Sequence, residues 1–321
     1  MSETADEQLE LGGEPKRRNA LADFAVRLVR EKPLGVTGAI IVLLMLFAAI
    51  FADLLAPYPY AEIHMGEDLL PPGGNYILGT DNLGRCIFSR IIYGARLSLY
   101  VGLGATFINV IVAAIVGIPC GLIGGKFDLG VQRVVDAMIV FPPLLLLITV
   151  MSLVGVGIIQ VIVVLGVTGS FGLIRLVRSA AIAIRENVYF EAARAIGSTT
   201  RRVILRHALP NLMPILIVAF SIGMAGNVLM EASLSFLGVG IPPPYPSWGG
   251  MISWEGRRYM YEAPSLAIWP GLALTIAVYG LNVFGDAVRD LLDPRLRGGV
   301  GRFVRGRRKA EKERKTRYRG S

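Results

Sequence analysis

Five long runs of uncharged, mostly apolar residues dominate the sequence. The longest run contains 38 residues and the shortest contains 20. An α-helix needs about 20 apolar residues to cross the hydrocarbon core of a membrane, so four runs hold one span each and the longest holds two. The runs are continuous rather than alternating, which excludes a membrane β-barrel. We therefore expect six transmembrane helices in these intervals between charged residues: Lys32–Asp53, Arg96–Lys126, Asp136–Arg175 (two spans), Arg206–Glu231 and Glu262–Asp286.

The composition also indicates an all-α polytopic membrane protein. Of the 321 residues, 53% are hydrophobic and only 18% are charged, whereas about 25% of a soluble domain is charged. Gly155-Val156-Gly157 is the expected turn between the two spans of the longest run. The run after Lys32 is too long for the apolar part of a signal peptide, so an uncleaved signal-anchor fits better.

The distribution of Lys and Arg predicts the orientation in the membrane. Six of these residues lie in 1–32, seven lie from Arg175 to Arg206, and twelve of the 33 follow Asp293. Since basic segments stay in the cytoplasm, both termini are expected there. The chain then divides into four parts: a cytoplasmic N-terminal segment (1–31), a first transmembrane helix with an external loop (32–95), a five-helix core (96–290) containing a cytoplasmic loop (179–210), and a basic cytoplasmic tail (291–321).

A short polar island lies within that cytoplasmic loop. Good helix formers predict a helix over 180–196, and Gly197 suits a left-handed position at its end. Ser198 or Thr199 could cap a second helix over 201–209, with Pro210 starting the next segment. The prediction is a helix-turn-helix on the cytoplasmic surface, and its place between two spans argues against DNA binding.

Other residue patterns carry less functional information. Cys86, Cys120, His64 and His207 are too few and too dispersed for a disulfide framework or a metal cluster, and Cys120 is expected to be a small core residue. The spacing of Gly117, Gly121 and Gly125 predicts close packing along one helix face. No G-x-x-x-x-G-K-[ST] phosphate loop occurs, so no nucleotide site is expected on this chain.

The polar island resembles the signature loop of bacterial ABC-importer permeases. That loop has Glu-Ala-Ala, three residues, Gly, nine residues and a hydrophobic-x-Leu-Pro ending, and here His207 stands where the pattern often has Ile. The resemblance implies that a coupling helix contacts a cytoplasmic ATPase. It assigns coupling to Glu191, Ala192, Ala193, Ala195, Gly197, Leu209 and Pro210.

Further segments resemble the dipeptide/oligopeptide/nickel branch of this family. They are Gly79-Thr80-Asp81-Asn82-Leu83-Gly84-Arg85-Cys86-Ile87-Phe88-Ser89-Arg90, Gly94-Ala95-Arg96-Leu97-Ser98-Leu99, Glu231-Ala232-Ser233-Leu234-Ser235-Phe236-Leu237-Gly238, Pro246-Ser247-Trp248-Gly249 and Asp293-Pro294-Arg295. The extra N-terminal span resembles the C-type permease, and the likeness covers roughly 25 to 297. Cys86 departs from the branch, which usually has Asp there, so a helix cap or ion pair made by that Asp is missing.

The resemblance implies a six-helix, MetI-like type I importer fold in a bacterial or archaeal plasma membrane. It also implies a second homologous permease, two ATP-binding subunits, an extracytoplasmic substrate-binding protein and contact with membrane lipid. ATP is then bound and hydrolysed on the partners, so the chain itself is not an enzyme and needs no cofactor or metal. We expect no nucleic-acid partner.

Three questions stay open at this point. The cargo is a dipeptide, a longer peptide, nickel or another small solute, with peptides favoured by the breadth of the branch. An ion-coupled secondary transporter is less favoured, because charges cluster at span ends rather than inside spans, and a membrane scaffold is a further alternative. In the external turn we single out Glu231, Ser235, Pro246 and Trp248. We favour a structural role for Glu231 over contact with the substrate, whereas the aromatic turn either contacts the binding protein or anchors at the membrane interface.

Overall fold

The computed structural model describes residues 20–64, 67–186 and 197–292. The described residues form helices and, apart from two isolated β-bridges, no strand pairing. The first seven helices are α1 (Ala20–Glu31), α2 (Pro33–Ile50), α3 (Ala52–Leu55), α4 (Ile87–Ile123), α5 (Gly125–Val140), α6 (Pro143–Val154) and α7 (Ile158–Arg185). The remaining helices are α8 (Thr200–Val203), the π-helix π1 (Ile204–Ala208), α9 (Leu209–Phe236), α10 (Trp248–Met251), the π-helix π2 (Ile252–Gly256) and α11 (Ser265–Leu292).

Five of the described helices are long and apolar enough to cross a membrane. They are α2, α4, α7, the continuous helix Thr200–Phe236, and α11. Helices α5 and α6 are apolar enough to form a sixth span only if they are counted together, and they are bent by 99° at their junction. The junction lies at Phe141–Pro142, where a proline disfavours helical conformation of the preceding residue. The structure agrees with the predicted count when the bent pair is counted as one span. The predicted place of that span is wrong, because the pair begins at Gly125 rather than after Asp136 and is broken at 141–142.

The turn predicted at Gly155-Val156-Gly157 is confirmed, since α6 ends at Val154 and α7 begins at Ile158. By contrast, the predicted helix-turn-helix in the cytoplasmic loop is wrong in its second half. Residues 201–209 do not form a separate helix, because α8, π1 and α9 run on through Pro210 into the span. Of the first predicted helix, 180–196, the residues up to Arg185 continue the span α7, and 187–196 lie outside the described residues.

Close backbone contact joins α4 to α7. A Cβ on Gly121 would stand 2.6 Å from the Cβ of Ala181 and 2.6 Å from the carbonyl oxygen of Arg178. Gly117 likewise faces the carbonyl oxygen of Ile174, at 2.8 Å. Small residues permit this approach, which increases van der Waals contact between helices that share no hydrophobic driving force in lipid. The third glycine of the predicted stripe, Gly125, follows the end of α4 and makes no such contact, so its assignment to that face is wrong.

We call the two ends of the bundle the loop end, where the chain leaves at 186 and returns at 197, and the turn end, where 237–264 connect α9 to α11. At the loop end, Arg178 forms two hydrogen bonds to Asp128 of α5, at 2.5 and 2.6 Å. Nearer the turn end, Arg96 pairs with Asp53 at 2.9 Å, and this pairing holds the pKa of Asp53 below its usual value. These pairs attach shorter helices to the long spans.

Both cysteines are buried and free. Cys120 lies inside α4, as expected of a small core residue. Cys86 is the N-cap residue of α4, and its side chain makes no hydrogen bond to the first turn of that helix. The helix therefore lacks the cap that an Asp could provide there, in agreement with the departure noted in the sequence.

Substitution Gly121→Ala tests the α4–α7 contact. We expect a lower melting temperature of the detergent-solubilised protein, because the new methyl group overlaps Ala181 and the backbone at Arg178, and overpacking of this kind costs about 1–3 kcal/mol. Gly130→Ala is the matched control, since a Cβ on helical Gly130 meets nothing within 4 Å. The control should be neutral or slightly stabilising, and equal destabilisation by both substitutions would contradict the proposed contact.

Candidate functional site

The structure places only part of the predicted coupling motif. Glu191, Ala192, Ala193 and Ala195 lie outside the described residues. Gly197 has a positive φ of 79°, the left-handed conformation predicted for it. Thr199 caps the helix that follows, because its hydroxyl accepts a hydrogen bond from the backbone N–H of Arg202 at 3.4 Å. Of the two predicted caps, Ser198 and Thr199, the structure thus selects Thr199.

Leu209 and Pro210 lie at the start of α9 rather than in a turn. Leu209 packs against the core at the loop end, and Pro210 is exposed. In a regular α-helix the ring of Pro210 would meet the carbonyl group of residue 206. The wider π1 turn directly precedes the proline, which is where a helix needs to relieve that clash. The end of the motif is therefore joined stiffly to a transmembrane span.

A cavity of about 870 Å³ lies between α4, α7, α9 and α11. Among its described lining residues, only Arg289 is charged, and most of the others are apolar or glycine. It extends from the loop end towards the middle of the bundle. The lining residues are Thr106, Asn109, Gly169, Gly172, Leu173, Leu176, Pro214, Ile215, Val218, Ala219, Ile222, Gly223, Arg289 and Leu292.

A buried hydrogen-bond network closes this cavity at mid-bundle. Asn227 of α9 donates to the Oγ1 of Thr106 at 2.9 Å and to the Oδ1 of Asn109 at 2.8 Å. Asn109 in turn donates to the backbone oxygens of Leu165 and Gly166 in α7, at 3.1 and 2.5 Å. Side-chain amides that bond across helices are stabilising in an apolar bundle. This network fixes α4, α7 and α9 relative to one another.

One face of α9 continues beyond the network towards the turn end. The residues of α9 near the turn end line a second, apolar groove of about 360 Å³. Gly226, between the two cavities, is exposed and meets nothing within 4 Å of its position for a Cβ. The spacing of three and four residues places one stripe along the helix: Ile215, Val218, Ile222, Gly226, Leu229, Ser233 and Phe236.

The residues predicted in the external turn come together at the turn end. Glu231 is buried and accepts hydrogen bonds from the hydroxyl groups of Ser235 and Ser247, each at 2.7 Å. Ser235 also accepts from the backbone N–H of Ile241 at 3.1 Å. Glu231 thus ties the end of α9 to the start of α10, which supports the structural role favoured from the sequence.

Trp248 and Pro246 are both buried. The indole N–H of Trp248 donates to the backbone oxygen of Ile91 at 3.1 Å, and the ring packs directly on Gly94. Trp248 is therefore a packing residue inside the protein, while the role of the turn 241–248 as a protein contact or an interfacial anchor stays a prediction. The exposed aromatic residues of the described turn region include Tyr245, Trp254 and Tyr261 instead.

A buried cluster of four charges lies next to this turn. Arg85 donates to Asp81 at 2.6 Å and to Glu255 of π2 at 2.5 Å, and Arg90 donates to the same carboxylate of Glu255 at 3.3 Å. Burial raises the pKa of Glu255 above its usual value, and the charge of Arg90 acts in the opposite direction. The two acids and two bases balance, and the cluster joins the loop before α4 to π2.

Sequence reasoning missed the cavity, the amide network and Glu255. A signal was present for the network, because Asn109 and Asn227 stand inside apolar runs, where a polar side chain usually points into the bundle. The motif segment from Gly79 to Arg90 contains three members of the charged cluster. Their partner Glu255 is 165 or more residues away in sequence, so no local pattern could have identified it.

The chain is similar to transport proteins over most of its length. Residues 113–298 match the model of the binding-protein-dependent transport system inner membrane component. Residues 22–72 match the model of the N-terminal TM domain of oligopeptide transport permease C.

Two relatives illustrate the similarity. The dipeptide transport system permease protein DppC of Alkalihalophilus pseudofirmus is 36% identical, over 85% of this chain and 90% of the relative. The glutathione transport system permease protein GsiD of Escherichia coli is 37% identical, over 85% of this chain and 90% of the relative.

A solved structure confirms the fold. An inward-facing conformation of the MetNI methionine ABC transporter superposes with a TM-score of 0.53, covering 64% of this chain and 98% of the other. At 22% identity the likeness concerns the fold alone. The prediction of a MetI-like fold is thereby confirmed.

Glu255→Ala tests the buried cluster. Removing this carboxylate leaves Arg85 and Arg90 with only Asp81 to balance them, and uncompensated buried charge costs about 3–5 kcal/mol. We expect a lower melting temperature and faster proteolysis of the segment before α4. Glu262→Ala is the control, because Glu262 is exposed in the same turn region and forms no ion pair with another described residue. Unchanged stability of the Glu255 variant would show that the cluster is not stabilising.

Proposed function

We propose that this chain, which belongs to the family of binding-protein-dependent transport system inner membrane components, forms half of the passage through which an ABC importer takes up peptides. It is a multi-pass inner-membrane permease. The observation that carries the peptide assignment is the similarity over 85% of the chain to relatives named as dipeptide and glutathione permeases. Glutathione is itself a tripeptide, so both names describe peptide cargo.

The stripe on α9 is the proposed wall of the passage. It borders the cavity at the loop end and the groove at the turn end, and the residues between them include exposed Gly226. An apolar wall with few hydrogen-bonding groups suits peptides with different side chains, because it does not require hydrogen-bonding groups at fixed positions on the cargo. A second homologous permease completes the passage from the opposite side.

The lining chemistry favours peptides over nickel. The described lining of the large cavity contains no Asp, Glu, His or Cys, and the described residues as a whole contain no group of three such side chains able to hold a metal ion. Nickel is bound in proteins by imidazole, carboxylate or thiolate groups. The apolar lining also lacks the acidic side chains on which ion-coupled transporters rely.

The loop end is the proposed cytoplasmic contact for two ATP-binding subunits. Both termini then lie in the cytoplasm, and the turn end faces the substrate-binding protein. ATP is bound and hydrolysed on the partners, and pressure on the loop reaches α9 directly because α8, π1 and α9 are continuous. ATP shifts the passage between its states only if it binds one of them better than the other.

Reconstitution tests the function. The chain, a second homologous permease, two ATPases and a substrate-binding protein from the same organism would be placed in proteoliposomes. We expect ATP-dependent uptake of di- and tripeptides and no uptake of Ni²⁺. Accumulation driven by a proton gradient without ATP, or uptake of Ni²⁺ alone, would overturn the proposal.

Ala219→Trp tests the passage wall. Ala219 lines the large cavity, and an indole there would fill part of the path, so we expect peptide uptake to fall at least tenfold while protein yield and melting temperature change little. Ile217→Trp is the control, because Ile217 lies on the same helix, is exposed and is not among the cavity's lining residues. Equal uptake by both variants would argue against a passage along this face.

Gly197→Asp tests the coupling loop. The positive φ of Gly197 strains any L-residue, and the added charge alters the surface next to the motif. We expect ATP-driven uptake to be lost while the protein still inserts into the membrane. Gly130→Ala serves as a control, since Gly130 lies outside the cavity lining and a Cβ there meets nothing within 4 Å. Normal uptake by the Gly197 variant would contradict a coupling role.

A further inference from the structure

An open cleft of about 570 Å³ lies at the turn end, directly beyond the last residue of α9. Its walls combine apolar and basic side chains. The lining residues are Phe236, Leu237, Gly238, Ser253, Trp254, Arg257 and Arg258. Neither the polar island nor the buried charged cluster includes any of these residues.

The two arginines of the cleft carry uncompensated charge. Both are exposed, and within 20–64, 67–186 and 197–292 neither guanidinium has a carboxylate at ion-pair distance. Arg258 lies 5.6 Å from the ring centroid of Tyr259. By contrast, Arg85 and Arg90, also near the turn end, are buried and paired. Two adjacent unpaired guanidinium groups create a site for an anion.

The buried cluster holds the cleft in shape. Glu255 belongs to π2, between Trp254 and Arg257 in sequence, and its carboxylate accepts hydrogen bonds from Arg85 at 2.5 Å and Arg90 at 3.3 Å. With Glu255 directed into the cluster, the neighbouring Trp254 is left 52% exposed. The indole and the two guanidinium groups therefore stand on an anchored segment.

The cleft is continuous with the proposed passage. Phe236 and Leu237 line both the cleft and the apolar groove that follows α9. A solute arriving at the turn end and moving along the α9 stripe would reach the cleft before the groove. This continuity favours a transported solute as the occupant over a protein that only docks on the outer surface.

We propose that the cleft is the subsite that receives the carboxylate of a peptide as it enters the passage. This inference rests on the proposed function. The planar guanidinium groups of Arg257 and Arg258 match the geometry of a carboxylate, and Trp254 with Phe236 and Leu237 contacts the adjoining side chain. The same positive charge repels a free divalent cation, which gives the passage a preference for peptides over nickel.

Ligand binding to the complete transporter in nanodiscs tests the subsite directly. The probes are N-acetylphenylalanine and its amide, which differ only in the carboxylate. The signal is the tryptophan fluorescence change that is absent from the W254F variant. Because a hydrogen bond to a charged group contributes about 1.5–3 kcal/mol, we expect half-saturation by the acid at a concentration at least about tenfold below that for the amide.

Matched variants identify the source of that preference. The double substitution R257Q/R258Q should remove it, whereas R257K/R258K should keep most of it because the charge remains. Glu262→Gln, an exposed charge outside the cleft, should bind both probes like the parent protein. Equal binding of acid and amide by the parent, or an unchanged preference in R257Q/R258Q, would overturn the proposal.

Uptake of Ala-Phe into proteoliposomes distinguishes a transported peptide in the cleft from the binding protein or the second permease. At saturating binding protein, R257Q/R258Q should need about tenfold more peptide for half-maximal uptake. A higher requirement for the binding protein instead, or loss of the second permease from the purified complex, would assign the cleft to a protein contact and overturn the proposal. Failure of the parent protein to import any peptide would overturn the proposed function. The binding experiment with the two probes would still test whether the cleft binds a carboxylate.

Discussion

Every part of this structure depends on the absence of water from the hydrocarbon core. Backbone groups in that environment must bond to one another, so each apolar run becomes a helix. The lipid is as apolar as the side chains, and no hydrophobic force then holds the helices together. Cohesion has to come from close contact and from polar interactions. Gly121 against Ala181 is an example of the first, and Asn227 against Asn109 is an example of the second.

The polar interactions occur at three depths. Arg178 and Asp128 join α7 to α5 at the loop end. The amides of Asn109 and Asn227 join three spans at mid-bundle. The buried cluster around Glu255 joins the loop before α4 to π2 at the turn end. Each pairs polar groups with one another inside the protein, and the stripe on α9 has mostly apolar side chains.

The separation of buried polar contacts from a mostly apolar α9 stripe fits a transporter of peptides with different side chains. The proposed passage wall offers few hydrogen-bonding groups, and the charged residues that line the cavity and the cleft are Arg289 at one end and Arg257 with Arg258 at the other. The continuous helix from Thr200 to Phe236 connects the loop end to the α9 stripe. A displacement at the loop can therefore reach the proposed passage through a single helix.

The sequence by itself determined the helical class, the turn at Gly155–Gly157, the left-handed Gly197 and the family. These follow from composition, local conformational preference and motifs with fixed spacing, all of which are properties of short segments. It misassigned Gly125 and it separated 201–209 from α9, because whether a glycine or a proline ends or continues a helix depends on neighbours distant in the chain. Only the tertiary structure decided that Glu255 pairs with Arg85 and Arg90, that Asn227 closes the cavity, and that Arg257 and Arg258 stand unpaired beside Trp254 among the described residues. Those features depend on contacts between elements that are distant in the chain. The apolar pattern within each span does not indicate which other helix the span will contact.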